Sequence, residues 1–274
     1  MTLTEVRRRL SELDIRPSKA LGQNFLVDSN ILQIILREAD IRADETVLEI
    51  GPGLGMVTEP LLDRAKQVVA IEKDARLCEY LRGNLPALEL IEGDAVKVLD
   101  SRFKIPGSGF KVVSNLPYSI STPILERLVE GELKPRRMVV TLQREVARRL
   151  AATPRTKEYG ALTVFTQLRY HVTIAHMVSP RCFYPSPRVE SAVAVLDRRD
   201  PRVELKLGAP FREIVRMGFG QRRKMLKKLL AGFRGVERAF AATALSSTAR
   251  AEELSLEQWI SLANEIRASN DGFK

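Results

Sequence analysis

The chain has 274 residues, 45% of them hydrophobic and 28% charged, which is enough for one full-sized core and a smaller second domain. Lys and Arg outnumber Asp and Glu by 44 to 34, and the net charge of +10 favours a polyanion such as nucleic acid as the partner. The chain lacks a long uncharged apolar run, and its first ten residues are strongly charged. A transmembrane helix, a signal peptide and a membrane partner are therefore not expected.

Metal ligands and disulfide partners are scarce. The chain has two cysteines, Cys78 and Cys182, and two histidines, His171 and His176. No metal set can be assembled from these four side chains, so we predict that the protein binds no metal. We expect free thiols and a location in the reducing cytoplasm.

Five short β-branched runs predict strands that alternate with amphipathic helices. The predicted strands are residues 46–50, 67–71, 88–91, 111–114 and 138–142. The predicted helices are residues 30–39, 56–65, 75–84, 122–130 and 145–152. This alternation is typical of an α/β fold with a parallel sheet.

The alternating pattern changes in the last third of the chain. Residues 171–178 and 191–196 are strand-like with a proline-rich connector between them, which predicts an antiparallel pair at the sheet edge. Helical patterns follow at residues 211–233, 236–244 and 256–268. We therefore predict a catalytic domain over residues 1–200 and a small helical domain over residues 201–274.

The helical domain is strongly basic near its start. Residues 201–234 hold ten Lys and Arg against two acids. A solvated helix face is one interpretation, but the charge is denser than solubility requires, and we predict RNA contact. The candidate RNA-binding residues are Arg222, Arg223, Lys224, Lys227 and Lys228.

A buried strand over residues 47–50 leads into a turn with glycine at alternate positions, Gly51, Gly53 and Gly55. Glycine permits backbone angles and a close approach that a Cβ would prevent. A dinucleotide-binding loop would have its last glycine at Met56, so the spacing favours S-adenosyl-L-methionine over a nicotinamide cofactor. A strand-to-helix corner that needs glycine only for its shape is the alternative.

Two acids follow the next two predicted strands, at the sheet edge where open α/β folds bind ligands. Glu72 lies about twenty residues beyond the glycines and can accept hydrogen bonds from the two hydroxyls of a ribose. Asp94 can accept one from an adenine amino group of the cofactor. Each acid alone is equally compatible with a turn or a helix cap.

The strand over residues 111–114 runs into Asn115-Leu116-Pro117-Tyr118. An adenine amino group is a poor nucleophile until acceptors hold its protons, and the Asn115 side-chain oxygen and the Leu116 carbonyl can supply two acceptors. Pro117 restricts Leu116 to extended geometry, and Tyr118 offers a ring on which a base can stack. An ordinary strand-to-turn transition is the alternative.

Phe183, in the proline-rich connector, is the candidate for the opposite face of the base. A base held between two rings must leave its own stack, so we expect an extruded or single-stranded adenine. The alternative is an aromatic residue that packs on the core.

Together these residues resemble the ribosomal RNA adenine N6,N6-dimethyltransferase family, and most closely its small-subunit (16S-type) branch. Four segments carry the resemblance, over about residues 21 to 191: Leu21–Asp28, Glu49–Gly55, Asn115–Tyr118 and Phe183–Val189. The resemblance implies a Rossmann-like class I methyltransferase fold, with a mostly parallel seven-stranded sheet, an antiparallel edge pair and a small C-terminal helical domain.

The resemblance also implies roles for individual residues. The expected base-site residues are Asn115, Leu116, Pro117, Tyr118 and Phe183. The expected S-adenosyl-L-methionine contacts are Gln23, Asn24, Leu26, Gly51, Gly53, Gly55, Glu72, Asp94, Ala95 and Asn115.

The implied activity is dimethylation of two adjacent adenines in small-subunit rRNA, on a pre-30S-type particle. We expect a monomer, because nothing in the sequence demands more than one chain. Two alternatives remain open. One is a large-subunit rRNA adenine methyltransferase, and the other is an assembly or transcription factor that binds nucleic acid without essential catalysis.

Overall fold

The computed structural model describes residues 1–18, 20–100, 103–105, 109–199 and 210–271. Its strands are β1 (Phe25–Leu26), β2 (Thr46–Ile50), β3 (Gln67–Glu72), β4 (Glu89–Glu92), β5 (Lys111–Asn115), β6 (Arg137–Gln143), β7 (Tyr170–Val178), β8 (Phe183–Tyr184) and β9 (Ser191–Arg198). Seven of them form one sheet in the order β4-β3-β2-β5-β6-β9-β7, and β1 and β8 form a separate antiparallel pair.

The large sheet has the expected pairing. β2 pairs in parallel with β3 and β5, β3 pairs in parallel with β4, and β5 pairs in parallel with β6. β9 runs antiparallel to β6, and β7 lies beyond β9 at the edge. The five parallel strands, β2 to β6, begin and end within one residue of the predicted bounds. The predicted α/β fold class with an antiparallel edge is therefore confirmed.

The helices are α1 (Leu3–Glu12), α2 (Ser29–Ala39), α3 (Thr58–Leu62), α4 (Ala75–Asn84), α5 (Ala95–Val98), α6 (Ser121–Glu130), α7 (Arg144–Leu150), α8 (Ala161–Arg169), α9 (Pro210–Gly220), α10 (Leu226–Leu229), α11 (Val236–Ala242) and α12 (Leu256–Asp271). Sequence reasoning misses α1, although its signal is present: Thr2 and Glu5 form a capping box, and Val6 and Leu10 are buried one turn apart. None of the helices in the described ranges is both long and apolar enough to span a bilayer.

The chain divides into two compact units. The first comprises Met1–Ala147 and His171–Arg198, and the second comprises the described residues of Arg148–Tyr170 and Arg199–Lys274. The domain boundary predicted after residue 200 falls among residues 200–209, which lie outside the described residues. The segment Arg148–Tyr170 groups with the helical unit because α8 packs on α9 and α12, and the Phe165 and Phe211 rings of the unit meet edge to face.

The single helix predicted over residues 211–233 is wrong. α9 ends at Gly220, a turn follows, and α10 begins at Leu226. The break has a structural cause, because the Leu226 N–H donates to the Ala249 carbonyl at 2.8 Å and Met225 pairs with Arg250 as an isolated bridge. An unbroken helix would direct the Leu226 N–H at the carbonyl four residues earlier.

A buried lysine joins α2 to the start of β5. The Lys111 Nζ atom is 2.8 Å from a Glu45 carboxylate oxygen and also donates to the carbonyls of Ala39 and Asp40 at the end of α2. Arg136 pairs with the same carboxylate from a more exposed position. Burial alone would raise the pKa of Glu45, but the lysine hydrogen bond and the surrounding cations outweigh burial, and the pKa lies below its ordinary value.

We expect Lys111→Met to lower the free energy of unfolding at pH 7 by about 2 kcal/mol, because it leaves the partly buried carboxylate with one exposed cation and the Arg42 N–H as partners and removes the donor at two carbonyls. Arg136→Met is the matched control and should change the free energy of unfolding by less than about 1 kcal/mol. Because the pKa of Glu45 is depressed, the charged carboxylate stabilises the folded protein at pH values above the usual carboxyl range. This stabilisation is lost as the pH falls through the depressed pKa. Urea titrations from pH 7 down should therefore show the Lys111→Met difference shrinking in acid, and an equal effect of the two variants at pH 7 would contradict this account.

Candidate active site

The carboxyl ends of β2, β3 and β5 open into one cavity of the first unit. Parallel strands bring the residues that follow them to the same edge of the sheet, so the sequence order alone explains this convergence. Nine of the predicted site residues line the cavity: Gln23, Asn24, Leu26, Gly51, Gly53, Glu72, Asn115, Leu116 and Pro117.

The glycine loop approaches the cavity through backbone that a side chain would block. Gly51 has φ +70° and donates its N–H to the Ile71 carbonyl at 2.9 Å, and a Cβ there would lie 2.9 Å from the Pro117 Cγ atom. At Gly53, with φ +59°, a Cβ would lie 3.0 Å from the Phe25 ring. Both positions therefore require glycine. Gly55 lies outside the cavity lining.

The Glu72 carboxylate is held by three backbone N–H groups. One oxygen accepts from Lys73 and Asp74 at 2.7 and 2.9 Å, and the other accepts from Gly53 at 3.2 Å. Burial raises the pKa of Glu72, and these three hydrogen bonds oppose that shift. The carboxylate is thus fixed in direction at the cavity wall, with acceptor positions left for hydroxyl groups of a ligand.

A second buried acid, Glu49, also lines the cavity and is missed by sequence reasoning. It is 2% exposed, and one of its carboxyl oxygens has no hydrogen-bond partner among the described residues. Burial raises the pKa of Glu49 to about 8, so the group is predominantly protonated at neutral pH. The available signal is a glutamate in the middle of an apolar strand, which is expected only where the acid is neutral or has a partner.

Asn115 presents an unsatisfied acceptor in a fixed orientation. Its Nδ2 atom donates to the Asn24 carbonyl at 2.8 Å, whereas its buried Oδ1 atom has no partner among the described residues. Only the amide nitrogen can donate to a carbonyl, so the identity of the free atom follows from chemistry. The side chain that the sequence predicts as an acceptor for an amino proton is therefore oriented as one.

The two predicted stacking residues touch each other. The Tyr118 and Phe183 rings have centroids 6.3 Å apart and an interplanar angle of 72°, an edge-to-face contact without a parallel gap for a base. Phe183 is 3% exposed in the hydrophobic core, and neither ring lines the cavity. Phe183 thus packs in the core in this structure, and stacking of a base on Tyr118 or Phe183 stays a prediction.

Asp94 and Ala95 also lie outside the cavity lining. One Asp94 oxygen caps α5 by accepting from the Val96 N–H at 3.0 Å, and the other is 2.9 Å from the Lys73 Nζ atom. The lysine hydrogen bond is the main reason that the pKa of Asp94 is lowered. The capping role considered from the sequence is therefore present, and contact with an adenine stays a prediction.

Residues 20–26 line the cavity and are held by both local and distant contacts. The Gln23 side chain bridges the Ser18 N–H and the Asp74 carboxylate, so both of its polar atoms are occupied within the chain. Phe25 pairs with Tyr184 and Leu26 with Phe183. Strands of two residues carry no sequence pattern, so a local reading has no signal for this pairing.

The second unit separates the predicted RNA-binding residues into two groups. Arg222 donates to the carbonyls of Lys157 and Thr156 at 2.6 and 2.8 Å and pairs with Glu252, and Lys227 pairs with Glu237. The other group is exposed and lines one depression of this unit, together with an arginine that sequence reasoning misses. These residues are Arg223, Lys224, Lys228 and Arg250, and none has an acidic partner among the described residues.

The chain matches known proteins over most of its length. A family model described as ribosomal RNA adenine dimethylase matches residues 16–268. The chain is 38% identical over 268 residues to the ribosomal RNA small subunit methyltransferase A of Clostridium acetobutylicum, covering 95% of this chain and 97% of that protein. It is 39% identical over 265 residues to the protein of the same name from Clostridium botulinum strain Loch Maree, covering 94% and 96%.

Two solved structures are similar over nearly the whole chain. A dimethyladenosine transferase from Plasmodium falciparum superposes with a TM-score of 0.74 at 24% identity, covering 90% of this chain and 98% of that chain. The 23S rRNA methyltransferase ErmE superposes with a TM-score of 0.67 at 29% identity, covering 89% and 100%. The first of these supports the fold alone.

Proposed function

Because the chain belongs to the ribosomal RNA adenine dimethylase family, we propose that it transfers methyl groups from S-adenosyl-L-methionine to the N6 atoms of two adjacent adenines in small-subunit rRNA. The observation that carries the assignment of the reaction to this cavity is the buried, unpartnered Asn115 Oδ1 atom. An adenine amino group can donate one hydrogen bond to this oxygen and a second to the Leu116 carbonyl. These two bonds favour a more tetrahedral nitrogen, whose lone pair is less delocalised into the ring. The oriented nitrogen is then the nucleophile.

The residues of the cavity fit the methyl donor. Glycine backbone at Gly51 and Gly53 leaves room that a Cβ would fill, and the fixed Glu72 carboxylate suits the two hydroxyls of a ribose. When bound, S-adenosyl-L-methionine supplies a methyl group on a positively charged sulfur. The chain then has to orient the amino nitrogen in line with that methyl group and exclude water, and orientation of this kind supplies much of the rate in a displacement.

The donor's own positive charge makes an additional Lewis acid unnecessary, so the proposal includes no metal ion. One chain supplies every residue of the proposed site, which supports action as a monomer. We also propose that the substrate is an assembling small subunit in the cytoplasm; the name of the bacterial relatives supports the small-subunit RNA.

In the second unit, the proposed phosphate contacts are the four exposed cations that line the depression and have no acidic partner among the described residues: Arg223, Lys224, Lys228 and Arg250. Arg222 and Lys227 are already paired with carboxylates of the same unit. We therefore propose that Arg222 and Lys227 stabilise the fold of the unit and do not contact RNA. The RNA-binding set predicted from the sequence then loses these two residues.

We expect the double variant Lys224→Gln/Lys228→Gln to bind the rRNA substrate about tenfold more weakly at moderate salt and to flatten the slope of log affinity against log salt by about one unit per lysine. Lys227→Gln is the matched control, because it removes the same charge from a lysine that already has a partner. Filter binding at several salt concentrations measures both slopes. Equal slopes for the double variant and the wild type would contradict the phosphate contacts.

The direct test of function is methylation of unmodified small and large ribosomal subunits with isotopically labelled donor, followed by mapping of the labelled nucleotides. Dimethylation of two adjacent adenines in small-subunit RNA is expected. Label that appears only in large-subunit RNA would favour the large-subunit alternative, which the likeness to ErmE keeps in view. Growth phenotypes that an inactive chain restores fully would favour the assembly-factor alternative.

A further inference from the structure

Tyr118, the last residue of the proposed catalytic segment, is tethered through its hydroxyl group. The phenolic oxygen is hydrogen-bonded to the Oγ atom of Ser191. Ser191 is fully buried and is the first residue of β9, where its backbone lies opposite Gln143 of β6. The tether therefore joins the proposed base-stacking residue to the sheet, across 73 residues of sequence.

Burial and this hydrogen bond together limit the chemistry available to the Tyr118 hydroxyl. Burial raises the pKa of Tyr118 to about 12, although the hydrogen bond to Ser191 acts in the opposite direction. The phenol is therefore neutral at physiological pH and cannot serve as a proton acceptor, and its hydroxyl already has a partner. What remains for a target base is the ring face.

The tether and one aromatic contact together constrain the ring. The hydroxyl end is held by Ser191, and the Phe183 ring meets the Tyr118 ring edge to face with centroids 6.3 Å apart. A phenyl ring without the hydroxyl bond keeps the aromatic contact but loses the constraint at its far end. The orientation of the ring is thus restrained by two contacts, one at its hydroxyl and one with the Phe183 ring.

We propose that Ser191 is a positioning residue for methyl transfer, which fixes the plane of the Tyr118 ring against which the target adenine stacks. The proposal rests on the proposed function, because it assigns Ser191 a part in orienting the base of that reaction. Small errors in the position of a nucleophile reduce rates strongly, by up to about a hundredfold for a displacement near 1 Å. Loss of the tether loosens the ring without removing it, so a smaller effect is expected.

The kinetic test is a double-mutant cycle. Ser191→Ala and Tyr118→Phe should each lower kcat for methyl transfer about tenfold, with the donor dissociation constant unchanged. The double variant should be no slower than either single variant, because all three lack the same hydrogen bond. The matched control is Thr141→Val on neighbouring β6, which removes a buried hydroxyl that has no hydrogen-bond partner among the described residues and should leave kcat unchanged.

A second readout does not depend on catalysis. In the protein with isotope-labelled tyrosine, Ser191→Ala should change the ring signals and accelerate the ring flips of Tyr118, while those of the other four tyrosines stay as in the wild type. A merely structural role for Ser191 would instead lower the melting temperature, affect several tyrosines and give additive kinetic effects.

Additive losses of kcat in the cycle, or an unchanged Tyr118 ring signal in Ser191→Ala, would overturn the proposal. Failure of the proposed function has a different signature, since the wild type itself would then transfer no methyl group to adenine. The ring-flip measurement still decides whether Ser191 holds Tyr118 in that case.

Discussion

Asn115→Ala is expected to slow methyl transfer at least about a hundredfold while the donor still binds. Loss of one fixed hydrogen-bonding group aimed at the reacting atom typically costs about two to three orders of magnitude in kcat. The alanine removes the unpartnered Oδ1 atom, which is the proposed acceptor for the amino proton, and leaves the glycine loop and Glu72 in place. The base can then still approach, but its amino nitrogen is no longer held as a nucleophile.

Single-turnover transfer from labelled donor, together with donor binding by calorimetry, separates the two effects. Asn84→Ala is the matched control, because its Nδ2 atom also donates to a carbonyl, at 2.8 Å, but at the exposed end of α4. Asn115→Asp keeps an acceptor oxygen but loses the donor to the Asn24 carbonyl, so it should be impaired as well. Turnover by Asn115→Ala at the wild-type rate would disprove the catalytic assignment.

The parts of the fold that the sequence predicts are those set by local pattern. The central strands are buried on both faces and appear as short β-branched runs, such as Thr46–Ile50 and Lys111–Asn115. Residues that follow parallel strands meet at one edge, so Gly51, Glu72 and Asn115 are brought together as expected. Chain order and strand direction suffice for that inference.

The parts that it does not predict depend on partners distant in sequence. Nothing near Asn115 indicates that the Asn24 carbonyl, 91 residues away, fixes its amide. The helix break after Gly220 depends on the Leu226 hydrogen bond to Ala249, and the pairing of Arg222 depends on Glu252. In each case a tertiary contact decides the outcome, and after Gly220 it outweighs a local helical preference that is weak by comparison.

The same distinction applies to residues that lie where the sequence predicts but also make contacts within the chain that the sequence does not show. Asp94 does follow β4, yet its two oxygens cap α5 and pair with Lys73. Phe183 does lie near Tyr118, yet it packs in the core. A motif thus fixes which residues are neighbours, while burial and hydrogen bonding decide what each side chain is free to contact.

Gly51→Ala is expected to weaken donor binding about a hundredfold and to slow transfer as well. A side chain at φ +70° is strained by about 1 to 2 kcal/mol, and the added Cβ would lie 2.9 Å from the Pro117 Cγ atom. The loop relieves this strain and clash by moving away from the conformation that fits the donor, and the expected hundredfold loss of affinity corresponds to about 2.8 kcal/mol of binding free energy. Because Pro117 restricts Leu116, movement of its ring also displaces the second proposed acceptor, the Leu116 carbonyl.

Gly83→Ala is the matched control. It separates the effect of the positive φ and the Pro117 clash at Gly51 from the effect of replacing any glycine by alanine. Gly83 lies in α4 without a positive φ, and a Cβ there meets nothing within 4 Å, so alanine should leave donor affinity unchanged and favour the helix slightly. Calorimetric titration with the donor, and single-turnover transfer at saturating donor, compare the two variants. If Gly51→Ala lost only donor affinity and kept full transfer at saturation, the glycine loop and the Asn115–Tyr118 segment would act independently. We expect loss of both donor affinity and transfer at saturation. The added Cβ displaces Pro117, so the change at Gly51 alters the donor-binding loop and the segment that orients the nucleophile together.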